Sequence, residues 1–155
     1  MRISQDYADE PPVFVNILKG GVIFLADLIR ATKIPIEIDF MEVSSYGDGT
    51  DSTGVVRILE DLSQNIEDRH VLIVEDIIDT GCTLQYIVQN LETRHPKSVK
   101  ICTLLDRRGR REVDITLDYV GFVVPDKFVI GYGLDLAQKY RNLPHIAVLE
   151  DEEIP

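Results

Sequence analysis

Residues 71–84 read VLIVEDIIDTGCTL, and within them Glu75, Asp76 and Asp79 are followed by Thr80, Gly81, Cys82 and Thr83, all small. Small residues between an apolar strand and the start of a helix leave backbone N–H groups free to face an anion, and the helix dipole adds to the attraction. Three carboxylates beside a bare phosphate would repel it. The combination makes sense for a ligand that offers hydroxyls to the acids and a phosphate to the loop, with a divalent cation offsetting the charge. A ribose 5-phosphate with Mg2+ meets both demands. Ordinary helix capping explains Asp79 or Thr80 singly, but not the whole run of acid-acid-x-x-acid-Thr-Gly-x-Thr.

Three further segments carry chemistry of a weaker kind. Lys19, Gly20 and Gly21 follow the apolar run VFVNIL. Two glycines let backbone approach an anion closely and the lysine brings positive charge, although a plain turn with a surface lysine reads the same. Residues 44–54 are rich in Ser, Gly, Asp and Thr, and a long loop of that kind, headed by Ser45 and Tyr46, is either a lid or a surface excursion. Residues 106–111 read DRRGRR. Such an arginine cluster suits nucleic acid, but the acidic bulk of the chain disfavours that partner.

The elements that must position these groups follow from periodicity. Strands are expected at 13–18, 36–43, 71–75 and 99–105, with short ones at 119–124, 128–130 and 146–149, and helices at 21–32 and 84–93. Residues 1–12 read as a loose lead-in. Alternating strands and helices predict an α/β domain over residues 1–155, with a mostly parallel twisted sheet flanked by helices. Ligands of such sheets bind beyond the carboxyl ends of the strands, where each segment above falls. The 155 residues suffice for a sizeable core, 45% are apolar, and the net charge is −11. That charge argues against a nucleic-acid or anionic-membrane surface. No apolar run is long enough to span a membrane, and no signal-peptide pattern opens the chain, so a cytoplasmic location is expected. Cys82 and Cys102 have no metal-ligand spacing.

VLIVEDIIDTGCT resembles the phosphoribosyl diphosphate (PRPP) loop of type I phosphoribosyltransferases, and EDIIDTG is similar to the hypoxanthine-guanine branch in particular. The resemblance runs from about Val13 to Leu149. It implies a reduced hood over the base, because relatives carry more chain before the first strand. It also implies Mg2+-dependent transfer of 5-phosphoribosyl from PRPP to N9 of a 6-oxopurine base, hypoxanthine or guanine. The products would be a nucleoside monophosphate, IMP or GMP, and pyrophosphate.

Site roles come over residue by residue as what the resemblance implies. Glu75 and Asp76 would hold the ribose hydroxyls and the metal, with Asp135 a further carboxylate beside it. Asp79 would be the general base, with Glu75 and Asp76 as its neighbours. Thr80, Gly81, Cys82 and Thr83 would cradle the 5-phosphate. Lys19, Gly20 and Arg141 would hold pyrophosphate, with the Lys19–Gly20 peptide as the one that can be cis. Ser45 and Tyr46 would close as a lid. Arg107, Phe128, Val129 and Asp135 would surround the purine. Arg107 stands where the family usually has a lysine reading the oxygen at C6, and Leu136 where it often has a tyrosine; guanidinium and ammonium are not interchangeable at such a position. The family implies a homodimer or homotetramer. A preference for xanthine, or a non-catalytic sensor of PRPP or nucleotide on the same fold, are the competing readings.

Overall fold

The computed structural model describes residues 1–45 and 56–150. A six-stranded sheet runs through it: β1 (Val13–Leu18), β2 (Glu37–Ser45), β3 (Val56–Glu60), β4 (His70–Ile78), β5 (Ser98–Asp106) and β6 (Tyr119–Val123), in the order β3-β2-β1-β4-β5-β6. All neighbours are parallel except β2 and β3, which are antiparallel. β7 (Val129–Ile130) and β8 (Ala147–Val148) form a separate antiparallel pair.

Alternation along the central strands builds two cores from one run of apolar residues. Val71 and Ile73 of β4 point to the face covered by α3 (Cys82–Glu92), where they meet Leu84, Ile87 and Leu91. Leu72 and Val74 point to the other face, beside Leu25 and Leu28 of α2 (Val22–Ala31). A strand covered on both faces has to be apolar at every position, and VLIV is. β1 pairs with β2 on one side and β4 on the other. The chain order therefore reverses beside β1, which places the switch point at the carboxyl ends of β1 and β4.

Three expectations need correction. Residues 1–12 are not loose: α1 (Arg2–Asp6) buries Ile3, and Tyr7 follows it into the core among Phe14, Leu25, Leu28 and Tyr119. Ile3 and Tyr7 are four apart, so they share one face of a single turn, too short a segment for a period to show. β4 does not end at Glu75 but continues to Ile78, because Ile77 and Ile78 pair with Leu105 and Asp106. The strand expected at 36–43 runs on to Ser45, and β3, which begins at Val56, is a strand that the periodicity did not show. The candidate lid residue Tyr46 lies outside the described residues.

Candidate active site

At the carboxyl end of β4, a cleft of about 220 Å3 is lined by Glu75, Asp79, Thr80, Gly81 and Thr83 together with Ile77, Ile78 and Leu84. The strand brings the acids there and α3 brings its first turn. Gly81 caps that helix with φ 84°, a left-handed conformation that glycine adopts at little cost. The Thr80 hydroxyl accepts from the Cys82 N–H at 3.3 Å. Cys82 lines none of the cleft, and its thiol donates instead to Glu112 Oε2 at 3.7 Å. A larger cavity of about 460 Å3, mainly apolar, opens between α2 and β6, and it holds none of the candidate residues.

Glu75 and Asp76 form a coupled acidic pair. Burial pushes the Glu75 carboxyl well above the ordinary range, and the charge of Asp76 adds to the shift. Burial also raises Asp76, partly offset by the Ile77 N–H, which donates to Oδ1 at 2.7 Å, and by the charge of Arg141. Two crowded carboxylates are stabilised by a cation. Mg2+ is held by one or two carboxylates plus ligand oxygens and waters, so the pair fits it as a donor set. Asp135 is engaged differently: it sits 3.4 Å from Arg141 Nη1 and accepts from the Gln138 N–H at 2.8 Å. Among the described residues, no three His, Cys, Asp or Glu side chains gather into a metal cluster.

Asp79 shares the cleft with Glu75 and has in addition a cationic partner that the sequence did not show. Its Oδ1 lies 3.1 Å from Nη1 of Arg107, whose side chain is buried. The contact is close but poorly aligned, because Asp79 Oδ1 and Arg107 Nε make no hydrogen bond among the described residues. The Arg107 backbone is held by its own N–H donating to the Ile78 carbonyl at 3.0 Å. Phe128 is half-buried in the turn before β7, and its carbonyl accepts from the Leu149 N–H at 2.9 Å. Val129 turns its side chain into a small core with Leu105 and Leu134.

The loop after β1 joins this region through contacts no sequence pattern displays. The cis peptide lies between Leu18 and Lys19, one bond earlier than expected. Gly20 lies directly on the Asp76 carboxylate, in space a Cβ would fill. Gly133, with φ 97°, faces the Gly20 carbonyl across a gap too small for any side chain. Arg141 Nη1 donates to the Gly133 carbonyl at 2.8 Å, and the Gly133 N–H donates to the Arg141 carbonyl at 2.9 Å. Arg141, Gly133, Gly20 and Asp76 are thus brought together from distant positions. We expect Gly133→Ala to cost at least about 2 kcal/mol, from strained backbone plus collision with a carbonyl. An unchanged midpoint in urea would show that the two turns separate freely.

Sequence reasoning missed Asn16. It is fully buried in β1, and its Nδ2 donates to the Val74 carbonyl at 3.1 Å, just ahead of the acidic pair. A lone asparagine inside VFVNIL was the available signal, because a polar side chain there needs a specific partner.

A mostly parallel sheet with an acid-rich strand end, a small-residue loop and a helix N-terminus at its switch point defines the class of α/β proteins built to take a phosphorylated ligand there. The phosphoribosyl transferase domain family matches residues 1–137, and the chain belongs to it. The chain is 53% identical over 150 residues to a hypoxanthine-guanine phosphoribosyltransferase of Staphylococcus epidermidis, covering 97% of this chain and 84% of that protein. A crystal structure of a hypoxanthine phosphoribosyltransferase from Staphylococcus aureus matches with a TM-score of 0.93 at 50% identity, covering 97% of this chain and 82% of that one. The architecture is the type I phosphoribosyltransferase fold. The chain also matches a bifunctional TilS/HprT protein of Listeria monocytogenes, at 51% identity over 151 residues, and spans 23% of that protein's length.

Proposed function

We propose that this chain transfers 5-phosphoribosyl from PRPP to N9 of hypoxanthine or guanine, giving IMP or GMP and pyrophosphate. One observation carries the reading: Glu75, Asp79, Thr80, Gly81 and Thr83 line a single cleft. The names of the relatives at about half identity support it. In this reading Thr80, Gly81 and Thr83 hold the 5-phosphate, and Glu75 and Asp76 hold the ribose hydroxyls. Glu75 and Asp76, with Asp135 as a further carboxylate, would hold Mg2+, which would supply charge that stabilises the departing pyrophosphate. Lys19, Gly20 and Arg141 bind the pyrophosphate. Asp79 takes a proton from the purine ring near N7, and Arg107 donates to the oxygen at C6. Phe128 stacks on the base, with Val129 backbone groups at its edge. A cytoplasmic homodimer or homotetramer goes with this reading.

The test is pyrophosphate release from PRPP and Mg2+ with hypoxanthine, guanine, xanthine or adenine in separate reactions. Turnover with hypoxanthine or guanine is the expected result. Turnover with xanthine alone would move the assignment to another base. PRPP binding without turnover on any base would replace catalysis with sensing.

A further inference from the structure

We infer that Arg111 is a positioning residue for the phosphate loop, pinning it from behind through the main chain of Asp79. The inference rests on the reading of residues 79–83 as a phosphate cradle. The segment after β5 folds back along that loop as a strap. Arg111 Nε donates to the Asp79 carbonyl at 3.0 Å. The Glu112 and Val113 N–H groups donate to the Thr80 carbonyl at 3.0 and 3.4 Å. Gly81 is pressed against the same strap: a Cβ there would lie 2.9 Å from Val113 Cγ2 and 3.2 Å from Arg111 Cδ. None of these strap residues lines the cleft.

The consequence follows from the planarity of the peptide bond. In a trans peptide the C=O and the following N–H point in opposite directions. Drawing the Asp79 carbonyl back onto Arg111 turns the Thr80 N–H the other way. Drawing the Thr80 carbonyl back onto the strap does the same for the Gly81 N–H. Neither N–H donates to a protein acceptor among the described residues. A flipped peptide would present a carbonyl oxygen to an anion and repel it, so the strap sets the sign of the loop's local field.

Arg111 is itself anchored. Its Nη2 donates to Oδ1 of the buried Asp106 at 2.6 Å, and Arg108 Nε donates to the other oxygen at 2.8 Å. One planar guanidinium therefore bridges a fixed carboxylate and a loop carbonyl, which an ammonium cannot do with the same reach. The cluster DRRGRR, read alone, suggested a nucleic-acid patch. Arg107, Arg108 and Arg111 each face Asp79 or Asp106, and Arg110 pairs with Asp126 at 2.5 Å.

The experiment compares Arg111→Met, Arg111→Lys and Asp106→Asn with the unaltered chain by two readouts. One is the backbone amide NMR spectrum without ligand; the other is PRPP affinity by calorimetry in Mg2+. We expect the Thr80 and Gly81 amide signals to move in all three variants, with signals of the sheet core retained. PRPP affinity should fall about 10- to 100-fold in both Arg111 variants, and less in Asp106→Asn. The KM for the purine should change less than about threefold. Wild-type PRPP affinity in Arg111→Lys would overturn the inference, because charge alone would then suffice. Weakened binding with unmoved loop amides would overturn it too, as would moved amides with unchanged affinity. If the unaltered chain binds no PRPP while the amides still move in the variants, the functional reading fails and the loop-positioning role stands.

Discussion

Asp79→Asn should keep PRPP affinity within about threefold while turnover falls about 100- to 10,000-fold, the range for loss of a general base. Asparagine preserves shape. The Asp79 main-chain carbonyl keeps its bond from Arg111, so the loop should stay in place. What disappears is the carboxylate that takes the purine proton. A second loss accompanies it, because Arg107 is buried with its Nη1 against that carboxylate. Removing one partner of a buried pair leaves the other uncompensated. Asp79 retains 42% of its side-chain surface, so water can take its place, and the stability cost should be near 1 kcal/mol. Calorimetric PRPP titration, single-turnover kinetics and thermal melting separate the three effects. Equal losses in affinity and turnover would remove Asp79 from the base role.

Glu75→Gln should make the ligand-free chain more stable and the PRPP complex weaker. Burial and Asp76 raise the Glu75 carboxyl well above its ordinary range. The folded state then binds a proton that the unfolded state releases. Stability from this group falls as pH rises from the ordinary carboxyl range through the raised one, and the full penalty applies above it. Glutamine carries no such penalty. The variant should therefore melt at nearly the same temperature as the parent near pH 4 and higher at pH 8, by about 1–2 kcal/mol of stability. Binding should show the opposite preference. Mg2+ and PRPP favour the ionised pair, so association should release protons and tighten with rising pH across the same window. Calorimetry in buffers of different ionisation enthalpy reads the proton count. A variant advantage that shrinks with rising pH would exclude the acidic pair as the source.

The pair also bears on how such a site persists. Two half-buried carboxylates side by side weigh against the fold's stability, and a bound cation would relieve them beyond what the Ile77 N–H and Arg141 already do. The surrounding structure supplies that tolerance through the apolar strand beneath them, which is covered on both faces by Leu84, Ile87 and Leu91 and by Leu25 and Leu28.

Local sequence determined much of this protein. The run at 71–74 read as a strand buried on both faces because four consecutive apolar residues, three of them β-branched, end at acids and turn residues, and VFVNIL at 13–18 read as a strand beside it. The acid-rich end of the run at 71–74 and the small residues after it marked the phosphate-loop candidate, since Gly81 needs positive φ and α3 starts beside it. Those features depend on neighbours within a few residues.

The tertiary structure decided what depends on partners far along the chain. α1 was hidden because one turn has no detectable period, and only Phe14, Leu25 and Tyr119 make Ile3 and Tyr7 core residues. The cationic partner of Asp79 is Arg107, 28 positions away, which no neighbour in sequence announces. DRRGRR read as a cationic patch, yet Asp106, inside the motif itself, binds two of its arginines once β5 buries that carboxylate. Gly20 read as a point of anion approach and Gly133 drew no reading, and only the fold shows one set against the other. Hydrophobic period and backbone freedom are written locally, whereas charge pairing and close approach exist only once the sheet has brought its strand ends together.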